Sequence, residues 1–152
     1  MNAIARFYDK GVAVAGSRLV EGAALFLLRI ALAGVFWRSG QTKVVEGSFL
    51  KIDPSQYDLF RSEFSGLPLD PVIAVPLTTF SEHLFPALLL LGLATRFSAV
   101  ALLVMTLVIQ IFVFPDAWWP VHSLWAAMAA ILIVRGGGLF SLDALIARMR
   151  LK

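Results

Sequence analysis

Four long apolar runs, almost free of charge, constrain this chain more than any other feature. They fall at residues 23–42, 72–94, 97–114 and 119–135. A helix needs roughly 20 such residues to cross about 30 Å of hydrocarbon, and all four runs approach or exceed that length. Composition agrees: 59% of the 152 residues are hydrophobic and 15% are charged, with a mean hydropathy of +0.83. A soluble domain carries about 25% charged residues. Backbone in lipid has to satisfy its own hydrogen bonds, so all four runs read as helices. The connections are short, "TR" between the second and third and "PDAW" between the third and fourth. Links of that size leave neighbouring helices antiparallel. The expected fold is a single all-α membrane domain, an antiparallel four-transmembrane-helix bundle, with residues 136–152 as its tail.

Lysine and arginine counts orient such a bundle. One side receives eight: Arg6, Lys10, Arg18, Arg96, Arg135, Arg148, Arg150 and Lys152. The other receives three: Lys43, Lys51 and Arg61. Both termini are therefore expected in the cytoplasm, with residues 43–71 and "PDAWW" outside, in the periplasm of a diderm bacterium. The basic residues are dispersed, so the net charge of +3 points to a lipid bilayer and not to nucleic acid. The absence of cysteine excludes disulfides, thiolate nucleophiles and thiolate metal sites. The first 22 residues lack a continuous apolar core and an A-x-A site, so no cleaved signal peptide is expected.

The outer loop carries structure of its own. In "DPSQYDLFRSEFSG", Asp53 is a candidate N-cap, Pro54 takes the first helical position and Gln56 follows three residues after the cap. Tyr57, Phe60 and Phe64 form one apolar stripe, and Gly66 is a stop signal. This predicts a short amphipathic helix, packed on the outer mouth of the bundle or lying in the headgroups. In the tail, Ser141 can cap a second short, basic amphipathic helix.

Polar residues inside the apolar runs are the candidate chemistry. Glu82 lies ten residues into the second run, roughly 15 Å at 1.5 Å per residue. A charge at that depth costs at least ~2.5–3.5 kcal/mol on insertion scales, so Glu82 needs a partner, protonation or water. Arg38 and Arg29 are the candidate partners. Pro86 has no N–H to give the Glu82 carbonyl, which adds an acceptor beside the carboxylate. His83 follows Glu82 directly. Arg38, Gln41, Gln110 and His122 fall in the same outer half, and Trp119 and Trp125 supply flat walls. Together they suggest one polar pocket opening outward, with Glu82 and His83 exchanging protons and the others binding the ligand. Lys43, Arg96 and Arg135 read as interfacial anchors. His83, His122 and Glu82 lack a helical i, i+3 or i+4 ligand spacing, so no metal site is assigned. A few converging polar groups with aromatic walls suit an amphipathic headgroup such as a quinone.

These residues also carry a resemblance. "LLRIALAGVFWRSGQTK", "EHLFPALLLLGLATR" and "RGGGLFSLDAL" are similar to three motifs of the DoxX family of small bacterial membrane proteins, over residues 28–145. The pattern takes in Arg29, Lys43, Glu82, Gly92, Arg96 and the run Ser141, Leu142, Asp143. "GGGLF" departs from the usual G-x-G-R before that run. The resemblance implies a four-helix inner-membrane protein in a quinone-linked redox system. A subgroup with "FWRSGQTK", "EHLFP" and "PDAWWPVHSLWA" is linked to systems that make copper-sequestering peptides. With no haem, flavin or iron–sulfur motif in the chain, electrons are expected from a membrane or periplasmic redox partner. The alternative is a non-catalytic anchor or assembly factor for a periplasmic partner in copper or oxidative-stress handling. A small permease is a third reading, which four helices serve poorly without oligomerisation.

Overall fold

Helix boundaries in this chain are set by capping chemistry more than by hydropathy. The computed structural model describes residues 3–48 and 50–151. α1 (Ala3–Ala15) was not anticipated, because it is too short and too charged to read as a span. Its apolar residues Phe7, Tyr8 and Val12 are exposed. α2 (Arg18–Gln41) starts earlier than the apolar run, because the Ser17 hydroxyl accepts from the Val20 N–H at 3.4 Å. α3 (Ser55–Ser62) is the loop helix. α4 (Pro71–Leu91) begins where the Asp70 carboxylate accepts the Val72 N–H at 2.8 Å and Pro71 takes the first turn. It runs unbroken through Pro76 and Pro86, then stops short of residue 94 because Gly92 is left-handed at φ 66°.

α5 (Thr95–Phe112) has no local cap. Its cap comes from the far end of the chain: Asp143 Oδ1 accepts the Ala94 N–H at 2.8 Å and Oδ2 accepts the Thr95 N–H at 2.9 Å. α6 (Ser123–Arg135) is entered through a 3₁₀ turn at 115–117 and a π turn at 118–122. α7 (Leu142–Arg150) is capped by Ser141, whose hydroxyl accepts the Ala144 N–H at 3.1 Å, as the sequence predicts.

Among the described residues, four helical segments are long and apolar enough to cross a membrane: Arg18–Gln41, Pro71–Leu91, Thr95–Phe112 and Pro115–Arg135. They close into a ring in which α2 packs on α4 and α6, and α5 packs on the same two. This is the antiparallel four-helix arrangement expected from the short links. Leu25, Leu32, Phe36, Leu89, Leu102 and Leu132 fill the centre. Among the described residues no strand forms, only one isolated bridge between Val44 and Ile52.

The loop helix differs in detail from its prediction. It begins at Ser55 instead of Pro54 and ends at Ser62, ahead of Gly66. Asp53 still serves its start, accepting the Ser55 N–H at 2.9 Å, and that bonding to Ser55 holds its carboxyl below the ordinary value of 3.8. Phe60 is buried against Ala74 and Val75, with Tyr57 and Phe64 packed beside it. α3 is thus a lid on one end of the bundle. Gly66 is required for another reason: a Cβ there would collide with the Phe112 carbonyl.

Candidate functional site

Under that lid, the last turns of α2 meet the middle of α4. Lys43 lies just past α2, its backbone held by Lys43 N–H to Gly40 carbonyl at 3.0 Å and Asp53 N–H to Lys43 carbonyl at 3.0 Å. Its side chain folds back along the helix. Nζ lies 2.7 Å from Glu82 Oε2 and donates to Ser39 Oγ at 3.1 Å, while Ser39 Oγ donates to Glu82 Oε1 at 3.0 Å. The two charged side chains are 10% and 5% exposed. Gly40 makes the approach possible, since a Cβ there would lie 2.8 Å from His83 Cε1 and 3.1 Å from Glu82 Cβ.

This corrects the expected pairing. The partner of Glu82 is Lys43, which the sequence reading treats as an outward anchor, and neither Arg38 nor Arg29. Arg38 is exposed. Arg29 is fully buried toward the opposite end, where Nη1 donates to the Leu89 and Leu90 carbonyls at 2.9 and 3.1 Å and Nη2 donates to the Phe140 carbonyl.

The single expected pocket divides into separate clusters. Beside Glu82, His83 Nδ1 donates to the Thr79 carbonyl at 2.7 Å. Its Nε2 lies 2.9 Å from the Gln41 amide nitrogen, so the ring accepts there and carries its proton on Nδ1. The Trp37 ring meets it edge-on at 5.1 Å. Farther round the bundle, His122 Nδ1 donates to Gln110 Oε1 at 2.7 Å, and the Gln110 amide donates to the Pro115 carbonyl at 2.5 Å. That pair ties α5 to the π turn. Trp125 packs, its ring tilted, between His122 at 5.1 Å and Phe36 at 5.6 Å. Trp119 is 83% exposed and walls nothing. Among the described residues no three His, Asp or Glu side chains are grouped to hold a metal ion.

What Glu82 faces is a cavity of about 590 Å³, within the 300–1,000 Å³ usual for small-molecule sites. Ser39, Lys43 and Glu82 form its charged patch, with Thr78 and Ser81 as further polar lining. Phe36, Phe85, Met105 and Trp125 are apolar wall, and Phe60 and Phe64 close it from the lid. Leu77 of α4 and Val104 of α5 line it while each 53% exposed, so it reaches the outer surface of the bundle between those helices. Of the expected site residues, Glu82 and Trp125 line this cavity; Arg38, Gln41, His83, Gln110, Trp119 and His122 do not. Ser39 was missed. The available signal was the Ser39, Gly40, Lys43 spacing, which puts a hydroxyl and an ammonium one turn apart beside a small residue.

The family model described as DoxX matches residues 24–116. A Haemophilus influenzae protein, described as an uncharacterized protein, is 32% identical over 145 residues, covering 85% of this chain and 87% of that one. No solved structure matches. The matched stretch contains Arg29, Ser39, Gly40, Lys43, Glu82 and Arg96, and stops before His122 and Asp143.

Proposed function

We propose that this chain, which belongs to the DoxX family, is the quinone-linked membrane component of a redox system. The observation that carries the reading is the buried Lys43–Glu82 pair, set in a mostly apolar cavity that reaches the lipid-facing surface. An amphipathic ring with an isoprenoid tail fits that distribution: the tail stays among Leu77, Val104 and the acyl chains, and the ring meets the polar patch. A quinone supplies the capacity to take up and release electrons together with protons. Lys43 Nζ is a fixed donor there, Glu82 accepts as carboxylate and donates when protonated, and Ser39 can do either. The aromatic wall and the lid keep bulk water from the exchange. His83 supports this arrangement from behind, oriented by Thr79 and Gln41. Electrons come from a membrane or periplasmic redox partner.

A short-chain quinone is expected to raise the melting temperature of the detergent-solubilised protein. Met105→Trp, which fills the cavity and spares the ion pair, and Glu82→Gln should each remove that shift. His122→Ala, which acts only through Trp125, should weaken it less. No shift, together with recovery of one soluble periplasmic enzyme on the purified protein, would replace this reading with that of a membrane anchor. The lysine and arginine bias supports cytoplasmic termini for a protein of the bacterial inner membrane. Alkaline phosphatase fused after Ser65 should then be active and after residue 152 inactive; the reverse pattern overturns the orientation.

A further inference from the structure

At the end of the bundle away from the lid lies a second cavity, also of about 590 Å³, between the start of α5, the end of α6 and α7. We infer that this cavity binds the phosphate of an anionic phospholipid. Two guanidinium groups line it, Arg96 and Arg135. Arg96 uses Nε and Nη2 on the Ile133 and Val134 carbonyls, at 3.0 and 3.2 Å. Arg135 uses Nε and Nη2 on Glu21. Each guanidinium therefore keeps Nη1 as a donor. Between them Gly136, Gly137 and Gly138 present bare backbone, and on the α7 side Ala144 and Ala147 leave the space open.

The negative charges nearby are already engaged. Glu21 is held by Arg135, and Asp143 accepts the Ala94 and Thr95 N–H groups. The cavity lining sets two guanidinium groups, Arg96 and Arg135, against the single carboxylate of Asp143, so the selectivity is for a headgroup of net negative charge. The Thr95 hydroxyl, on the cavity wall, is buried with no hydrogen-bond partner. An apolar track leads away from the site along α5: Phe97, Val100 and Val104 are all exposed at helical spacing. Phe97 is both cavity wall and the head of that track. A free phosphate would use the two arginines and leave the track bare, whereas a phospholipid uses both. Basic pockets between transmembrane helices hold anionic headgroups by this combination.

The test uses the full chain, delipidated in detergent, with dioleoyl phosphatidylglycerol, dioleoyl phosphatidylcholine or inorganic phosphate added, and lipid binding read by native mass spectrometry. Phosphatidylglycerol should bind more tightly than phosphatidylcholine. Arg135→Gln should weaken phosphatidylglycerol binding about fivefold, the loss of one arginine near a headgroup, and so shrink its preference over phosphatidylcholine. Ala147→Phe, which fills the cavity, should remove the preference; if that variant does not fold, Arg135→Gln decides. Equal binding of the two lipids, wild-type phosphatidylglycerol binding in Arg135→Gln, or displacement of bound phosphatidylglycerol by an equal concentration of inorganic phosphate would each overturn the inference.

Discussion

Each end of this bundle buries a cation, one from α2 and one just past it, against α4, and the two are satisfied in different ways. Arg29 is held by the carbonyls of Leu89, Leu90 and Phe140. Its acceptors are backbone, fixed by α4 and by the turn before α7. The same turn is stitched down by the Asp143 N–H to the Gly92 carbonyl at 2.9 Å and by the Asp143 cap of α5. Gly92 has no room for a side chain, since a Cβ would lie 2.5 Å from both Arg29 Nη1 and Ser141 Cβ. Lys43, by contrast, is held by two side chains, Glu82 and Ser39, beside open space. Three backbone acceptors from two separate segments make a clamp with one arrangement. A side-chain pair bordering a cavity has rotamers and room to exchange partners with a ligand. The family resemblance covers both ends, yet only one is built to change.

The largest way to break this comparison is Arg29→Ala. It takes the guanidinium donors from the Leu89, Leu90 and Phe140 carbonyls and opens a void, so a loss of about 3–5 kcal/mol is expected, read as a collapse of the melting temperature in detergent. Arg29→Lys should rescue little, because one ammonium cannot reproduce the guanidinium fork. A stable Arg29→Ala protein would remove the clamp.

Next comes the pair itself. Glu82→Gln and Lys43→Met should each cost about 3 kcal/mol by stranding the other partner's charge or hydrogen bonds in a buried site. The double variant should recover much of that loss, a coupling that a double-mutant cycle of unfolding measurements detects. It should also stay unresponsive to quinone. Additive losses would mean that the two side chains act independently and that the pair is incidental.

The smallest effect expected is Gly40→Ala. Its Cβ meets the His83 ring, which is a side chain and can yield, so about 1–3 kcal/mol is expected for overpacking. The distinguishing readout is the quinone shift, which should fall by more than stability does, because α2 and α4 are separated beside Ser39 and Glu82. An unaltered quinone response in a destabilised protein would detach the cavity from this helix crossing.

Reading Glu82 and His83 as one site shows where sequence reasoning runs out. Consecutive residues of a helix point about 100° apart. Glu82 consequently reaches Lys43 and the cavity, while its neighbour reaches Gln41 and Trp37. Depth along a span is legible from counting residues; direction around it is not. The same limit applies to Trp119 and Trp125, which share a depth zone but not a face.

By itself the sequence determined the four spans, their antiparallel order, and the caps at Ser141 and Asp53, because hydropathy, link length and capping are local properties. Only the tertiary structure decided that Lys43 turns inward to Glu82, that Arg29 closes the opposite end, and that Asp143 caps a helix begun 48 residues earlier. Those pairings depend on how each helix is rotated about its axis and how closely Gly40 and Gly92 let neighbours approach. Both are set by the packing of the whole bundle.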